Sequence, residues 1–400
     1  MAGTGKPMAS KPDPAPTPLA TRAAIARAGR RGTLAPLKVL ALLTAALALL
    51  AFSACGDDDD DGGGGGGGDG GGSIAFLLPE TKTTRYEEQD RPNFERRVRE
   101  LCPDCQVIYA NADQDPAKQQ QQAEAAITQG AKVIVISSVD VKSAAAIVER
   151  AKQSDVAVIA YGRLIPDADI DYYVSIDPFK VGQQQARVQM EAIQKAGMDS
   201  PRVVMINGAP TDSNAKPYKD GATQVLEQEG AEILESYDTP DWSPDRAQQE
   251  MEQSITSLGN DGFDAVYAAN DGMAGGAIAA LKSAQIDPGS RFVTGQDAEL
   301  AGIQRILAGE QLMTVYQPII DIAETAAELA VPIAQGEEPP ADLAKDRVDN
   351  GTKNVPSVLL DTIAVQEDNI ESTVVKDGFL DVSEICTGKY AAACKEAGLQ

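Results

Sequence analysis

From Ser73 onward the chain alternates short, continuous apolar runs with stretches whose apolar residues recur every three or four positions. Ile74 to Leu78, Gln106 to Ala110, Val133 to Ile136 and Val156 to Ala160 read as strands. Helical patterns near Asn93 to Leu101, Pro116 to Gln129 and Val141 to Gln153 separate them. Strands apolar on both faces and alternating with helices predict a parallel sheet covered on both sides. The pattern then restarts. Arg202 to Asn207, Ile233 to Tyr237, Ala265 to Ala268 and Phe292 to Thr294 read as strands. Helices are expected near Lys180 to Ala196, Ala215 to Glu229, Pro244 to Leu258, Gly275 to Ala284 and Glu299 to Ala308. Two doubly wound α/β sets in succession predict two similar parallel-sheet lobes joined by a hinge, with ligand at the carboxyl ends of the strands.

The first 72 residues follow neither pattern. Arg22, Arg27, Arg30, Arg31 and Lys38 precede an apolar run from Val39 to Phe52 that only Thr44 interrupts. That length suits the core of an export signal and is short for a membrane span. The run ends in Phe52-Ser53-Ala54-Cys55, which resembles a lipobox, so residues 1–54 are expected to be a signal peptide and Cys55 a lipidated N-terminus. Phe52 stands where leucine is usual. Asp57 to Asp61 and the glycine-rich tract that follows make 55–72 a charged, flexible tether. Nothing there holds the aspartates in a metal-binding turn, and no metal or cofactor is expected.

Charge and composition then remove whole classes of function. The formal charge of −25 conceals an asymmetry: from Cys55 onward there are 28 basic and 59 acidic side chains, net −31. Such a surface repels nucleic acid. The chain has no histidine, so the commonest general base and metal ligand is missing. Four cysteines remain after Cys55, an even count that favours disulfides in an exported chain. Cys386 and Cys394 are expected to close a small loop, while Cys102 pairs with Cys105 or stays local. Cys102-Pro103-Asp104-Cys105 has the spacing of a redox motif but follows a helix instead of opening one, so nothing lowers a thiol pKa.

Polar clusters sit just after the expected strands. These are Arg85-Tyr86, Tyr161-Gly162-Arg163, Asp212 with Asn214, Trp242, Asn270-Asp271 and Gln296-Asp297. Carboxylates and guanidinium groups bond strongly to hydroxyls, amides donate and accept, and aromatic faces pack on the C–H face of a sugar ring. Individually, Asp and Asn after a strand also serve as helix caps, and a lone Trp also serves as core. Their convergence at strand ends in both halves carries the binding reading. Gly3-Thr4-Gly5-Lys6 lies upstream of the apolar leader run and follows no strand, so it is no phosphate loop. Gly272, Gly275 and Gly276 have the wrong spacing for a dinucleotide loop.

Several longer segments carry a resemblance. Asp167 to Tyr172, Asn270-Asp271 with Gly275 to Ile278, Gly295 to Ile303, Thr314 to Tyr316 and Asn354 to Ser357 resemble the D-xylose-binding and multiple-sugar-binding periplasmic proteins. The resemblance covers Ile74 to about Gly378 and implies the type I periplasmic binding fold, with three hinge crossings and a monosaccharide between the lobes. It implies lobes of 73–177 plus about 316–350 and of 178–315 plus about 351–385, with 386–400 as a C-terminal extension. Arg85, Arg163, Asp212, Asn214, Trp242, Asn270 and Asp297 fall on sugar-contacting positions, and Tyr86 falls where a stacking tryptophan is usual. Tyr161 and Asp271 join this set as neighbours in the same loops. The chain departs from the family at Gly162, where an aspartate is usual, and at Gln317, where a lysine is usual. One carboxylate and one ammonium have gone together, which keeps the charge balance and implies a remodelled pocket.

The expected function is therefore that of a monomeric, lipid-anchored substrate-binding component of an ABC importer, facing outward and passing a monosaccharide to a permease. The alternative with the same residues is a sensory binding protein reporting a sugar or small polar signal to a membrane receptor. A DNA-binding regulator of this fold needs a basic N-terminal helix-turn-helix, which is replaced here by an export leader. Without histidine or a nucleophile motif, no enzyme is expected.

Overall fold

The computed structural model describes residues 71–399. The signal peptide, Cys55 and all but the end of the 55–72 tether lie outside the described residues.

The first lobe is built from β1 (Ser73–Leu78), α1 (Arg91–Leu101), β2 (Gln106–Asn111), α2 (Pro116–Thr128), β3 (Ala131–Ile136), α3 (Ala144–Lys152), β4 (Ala157–Tyr161) and β5 (Tyr172–Ile176). The chain then enters α4 (Pro178–Lys195) and the second lobe. That lobe contains β6 (Arg202–Asn207), α5 (Ala215–Gln228), β7 (Glu232–Asp238), α6 (Pro244–Leu258), β8 (Ala265–Ala268), α7 (Asp271–Ser283), α8 (Leu300–Leu307) and β9 (Thr314–Tyr316). It returns to the first lobe through α9 (Ile319–Gln335), β10 (Asp346–Asp349) and β11 (Asn354–Leu360). It ends in the second with β12 (Ile363–Val365), α10 (Val382–Ile385) and α11 (Ala391–Glu396).

The first-lobe sheet has the order β10-β11-β5-β4-β3-β1-β2, parallel except for β10 at one edge. Its central strands are buried throughout, as continuous apolar runs require: Ile74 to Leu78 and Val133 to Ile136 are fully covered. Phe76 of β1 stacks on Phe94 of α1 at 4.1 Å and meets the edge of Tyr161 at 5.4 Å. Truncating Phe76 to alanine would cost about 3–5 kcal/mol in lost burial and cavity formation. On the same face α9 lies against α1 and β3, with Arg97 paired to Glu328 at 2.6 Å. The second lobe holds the parallel sheet β7-β6-β8 and an antiparallel pair β12-β9.

Two expectations need correction. Residues 354–360 do not belong to the second lobe: β11 pairs in parallel with β5, from Ser357 beside Tyr173 to Leu360 beside Ile176. The final crossing thus falls between Leu360 and Ile363, ten residues beyond the boundary near 350. Phe292 to Thr294 is not a ladder strand. Phe292 has φ of 44°, and the Thr294 hydroxyl accepts from the Ala268 amide and donates to the Ala268 carbonyl, so a side chain occupies the edge of β8. The helix expected from Gly275 begins at Asp271.

The C-terminal segment is integral to the second lobe. Ile370, Val374, Phe379, Ile385, Cys394 and Leu399 pack with Ile303, Ile306 and Tyr316 in one apolar cluster. Disulfides join Cys386 to Cys394 beside that cluster, and Cys102 to Cys105 across the turn after α1.

Candidate functional site

The carboxyl ends of the strands of both lobes meet around one cavity. Its walls are Thr83, Arg85, Tyr86, Tyr161, Gly162 and Arg163 from the first lobe, and Asp212, Asn214, Tyr218, Trp242, Asn270, Gln296, Asp297 and Gln317 from the second lobe and its hinge. The free space inside it is small, ≈ 40 Å³ for the centre of a water-sized sphere, so it suits a small solute.

Local structure explains how each group reaches the cavity. After β1, the Glu80 carboxylate accepts from the Thr83 amide at 3.0 Å and fixes the loop that presents Thr83. Burial raises the Glu80 pKa. A π-helical turn, Tyr86–Asp90, follows. Its wide winding brings Asp90 back under Arg85, which it binds through two bonds of 2.9 and 2.7 Å. The Tyr161 hydroxyl also donates to Asp90. Arg85 reaches on to the Gln317 carbonyl at 3.1 Å and lies 3.6 Å from Asp297, while the Gln317 amide donates to Asp297 at 2.9 Å. Burial opposes the Arg85 charge, but Asp90 and Asp297 hold its pKa well above the ordinary value. Burial raises the Asp297 pKa, and Arg85 pulls it back.

The other wall repeats this logic. Arg163 pairs with Asp212 at 2.8 Å and donates to the Ser138 carbonyl at 2.7 Å. Burial works against its charge, which Asp212, Tyr86 and Glu80 more than restore. Asp212 also accepts from the Trp242 indole at 3.2 Å and from the Asn214 amide at 2.8 Å. The Asn214 side chain crosses to the Gly162 carbonyl at 2.8 Å. Trp242 and Asp241 both have positive φ, 52° and 59°, which turns the indole back over the cavity. Gly208 makes this possible, since a Cβ there would collide with the Trp242 ring. Both cations are thus matched by carboxylates, and the Gln296 Oε1 atom is buried in the wall with no partner among the described residues.

Of the residues singled out from sequence, Arg85, Tyr86, Tyr161, Gly162, Arg163, Asp212, Asn214, Trp242, Asn270, Asp297 and Gln317 all line this cavity. Asn270 does so while its carbonyl also caps α7 through the Met273 amide at 2.9 Å. Asp271 does not line it. Its carboxylate is turned into the second lobe, where Glu299 N, Thr314 Oγ1 and Gln311 Nε2 occupy it. Gln296, noted beside Asp297 in the sequence, also lines the cavity, whereas sequence reasoning missed Thr83 and Tyr218 in the walls and Asp90 behind them. Tyr218 was reachable: it lies one helical turn after Asn214, which places both on one face. Asp90 was not, because a five-residue spacing means nothing until the turn is known to be π-helical.

Two hinged α/β lobes around a charge-matched polar cavity at their strand ends define a solute-binding protein of the type I periplasmic fold. The chain belongs to the periplasmic binding protein family, whose periplasmic binding protein domain matches residues 74–338. It is similar to the D-xylose-binding periplasmic protein of Escherichia coli K12, 40% identical over 302 residues that cover 74% of this chain and 88% of that protein. It is also similar to a multiple sugar-binding periplasmic receptor of Rhizobium radiobacter, 32% identical over 68% of this chain and 81% of that one. Among solved structures, an ABC transporter solute-binding protein of Clostridium phytofermentans with bound β-D-glucose matches with a TM-score of 0.69 and 28% identity, over 78% of this chain and 99% of that one. By name these relatives are sugar- or solute-binding proteins, the Clostridium protein that of an ABC transporter, and the family is not one of enzymes.

Proposed function

We propose that this chain captures a neutral monosaccharide between its lobes and delivers it to the permease of an ABC importer. The observation that carries the reading is the charge-matched polar cavity, in which Arg85 and Arg163 each have a carboxylate partner and Tyr86, Tyr161, Tyr218 and Trp242 supply aromatic surface. A net-charged ligand would disturb that balance at the cost of burying an unpaired charge. A sugar hydroxyl has what the unpartnered Gln296 carbonyl lacks, a donor. The names of the relatives, which speak of D-xylose, multiple sugars and bound β-D-glucose, support the same class.

The protein works as a monomer held to the outer face of the cell membrane by lipid on Cys55, with the Asp/Gly tether giving it reach to the permease. No helix among the described residues is long and apolar enough to cross a membrane. A thermal-shift panel of pentoses, hexoses, polyols and disaccharides on the mature protein tests the ligand class. A monosaccharide at a thousand times its dissociation constant stabilises by about 4 kcal/mol. A panel in which no carbohydrate raises the Tm removes the sugar assignment. Cys55→Ser should move the protein from the membrane to the soluble fraction, and an unchanged distribution removes the anchor.

A further inference from the structure

We infer that Asp271 is a positioning residue that holds Asp297 in its ligand-facing conformation; the inference rests on the interlobe cavity being the ligand site. Asp297 and Ala298 are consecutive non-glycine residues with positive φ, 88° and 51°. L-residues disfavour this region, so surrounding contacts must impose it. The Asp297 amide donates to the Val315 carbonyl at 2.9 Å, and the contacts on either side of it run to Asp271. Asp271 Oδ2 accepts from the Glu299 amide at 2.9 Å and from the Thr314 hydroxyl at 2.9 Å. The same Thr314 oxygen accepts from the Ala298 amide at 3.2 Å. Asp271 Oδ1 accepts from Gln311 Nε2 at 2.6 Å, and the Asp271 amide donates to the Gln296 carbonyl at 2.9 Å.

The loop from Gly295 to Glu299 is therefore wound around the Asp271 carboxylate, with Asp297 at the apex of the turn on the cavity side. Its partners make the arrangement specific. A Cβ at Gly295 or at Gly302 would run into the carboxylate, so both glycines are needed for the chain to approach it this closely. Arg305 donates to the Asp271 carbonyl at 2.6 Å and to Gln311 at 2.9 Å, which fixes the far side. Asparagine at 271 has the same shape but only one acceptor oxygen for these donors, and its NH2 would face one of them. Asp271 touches no cavity surface, yet it holds the backbone on both sides of Asp297, at Gln296 and Glu299 directly and at Ala298 through Thr314.

The test uses the full mature chain with Asp271→Asn and the milder Thr314→Val. Residue-resolved hydrogen exchange should show the Ala298 and Glu299 amides exchanging about tenfold faster or more in both variants, with β6 unchanged. Titrated with D-xylose and D-glucose, Asp271→Asn should weaken the sugar that wild type binds by about tenfold or more. In an Asp297→Ala background the same change should cost almost nothing, because the group it positions is gone. Ala298→Gly, which accepts positive φ freely, should recover part of the loss in Thr314→Val. Additive losses, or an Ala298→Gly change that recovers nothing, would show a merely structural role and overturn the inference. Should wild type bind neither sugar, the sugar reading falls, and the exchange data still decide: unchanged protection at Ala298 and Glu299 overturns the positioning role.

Discussion

Arg163 of the first lobe and Asp212 of the second form a 2.8 Å ion pair across the cleft, each side chain only 5% exposed. Neither partner can be removed quietly. Losing one member of a buried, hydrogen-bonded pair leaves the other charge unpaired and costs about 3–5 kcal/mol. Opening of the lobes would separate the two and return both to water, so most of that cost would fall on the closed form. Asp212→Asn is therefore expected to weaken sugar binding by about a hundredfold while leaving Tm without sugar nearly unchanged. Isothermal titration checks this, and a loss of less than about threefold would mean that the pair does not couple the lobes.

Trp242 is the only tryptophan in the chain, and its indole donates to Asp212 from the cavity wall. Its fluorescence therefore reports this one site without background. Saturation with a bound monosaccharide is expected to shift or quench the emission with the same midpoint that calorimetry gives. Trp242→Phe keeps an aromatic face but loses the hydrogen bond, and should weaken binding by about 1–2 kcal/mol. A saturating sugar that leaves the emission untouched would place its ring away from Trp242.

How far the sequence could be read depended on what kind of interaction made each element. Ile74 to Leu78 and Val133 to Ile136 were legible because central parallel strands are apolar on both faces. β5 sits behind the Asp167 to Asp171 stretch, and β9 and β12 have three residues each, too few for any periodicity. Phe292 to Thr294 was misread because a threonine side chain can stand in for a strand's backbone bonds. The same division holds in the site. Residues directly after strands were found because topology alone sends them to the cleft. Asp271 was misplaced by one position in chain order, since its neighbour Asn270 faces the cavity and it faces the lobe interior.

Gly162 and Gln317 are where the chain departs from the pattern it otherwise resembles, and the structure gives each a physical setting. At Gly162, φ is +71° and a Cβ would meet only Ser137 Oγ, at 3.9 Å. The Ser137 hydroxyl is buried and has no partner among the described residues. Gln317 bridges Arg85 and Asp297. An aspartate at 162 has room and tolerates positive φ better than most residues, while a lysine at 317 could pair with Asp297. The double variant Gly162→Asp/Gln317→Lys should bind D-xylose or D-glucose more tightly than wild type, and each single variant should bind more weakly because it carries one unmatched charge. Titration of all three with both sugars checks it; equal or weaker binding by the double variant ends the argument.

The Asp271 carboxyl also sets a pH dependence. Burial pushes its pKa from 3.8 up to about 7, helped by the nearby Asp297 charge and opposed by Arg305, Gln311 and Thr314. Glu299, whose amide Asp271 holds and whose own carboxylate receives the Thr84 amide from the first lobe at 3.3 Å, is raised well above its ordinary value by burial and by Asp271 and Asp297. A carboxyl with a raised folded-state pKa binds its proton more tightly when folded than when unfolded. Its contribution is fully present below about pH 4 and is lost as pH climbs through about 7. For Asp271 that contribution is at most about 4 kcal/mol. Urea unfolding of wild type and Asp271→Asn between about pH 4.5 and 9 should show wild type losing stability relative to the variant as pH rises, with the two curves parallel above about 8. A stability difference that stays constant across this window would show that Asp271 keeps an ordinary carboxylate pKa in the fold.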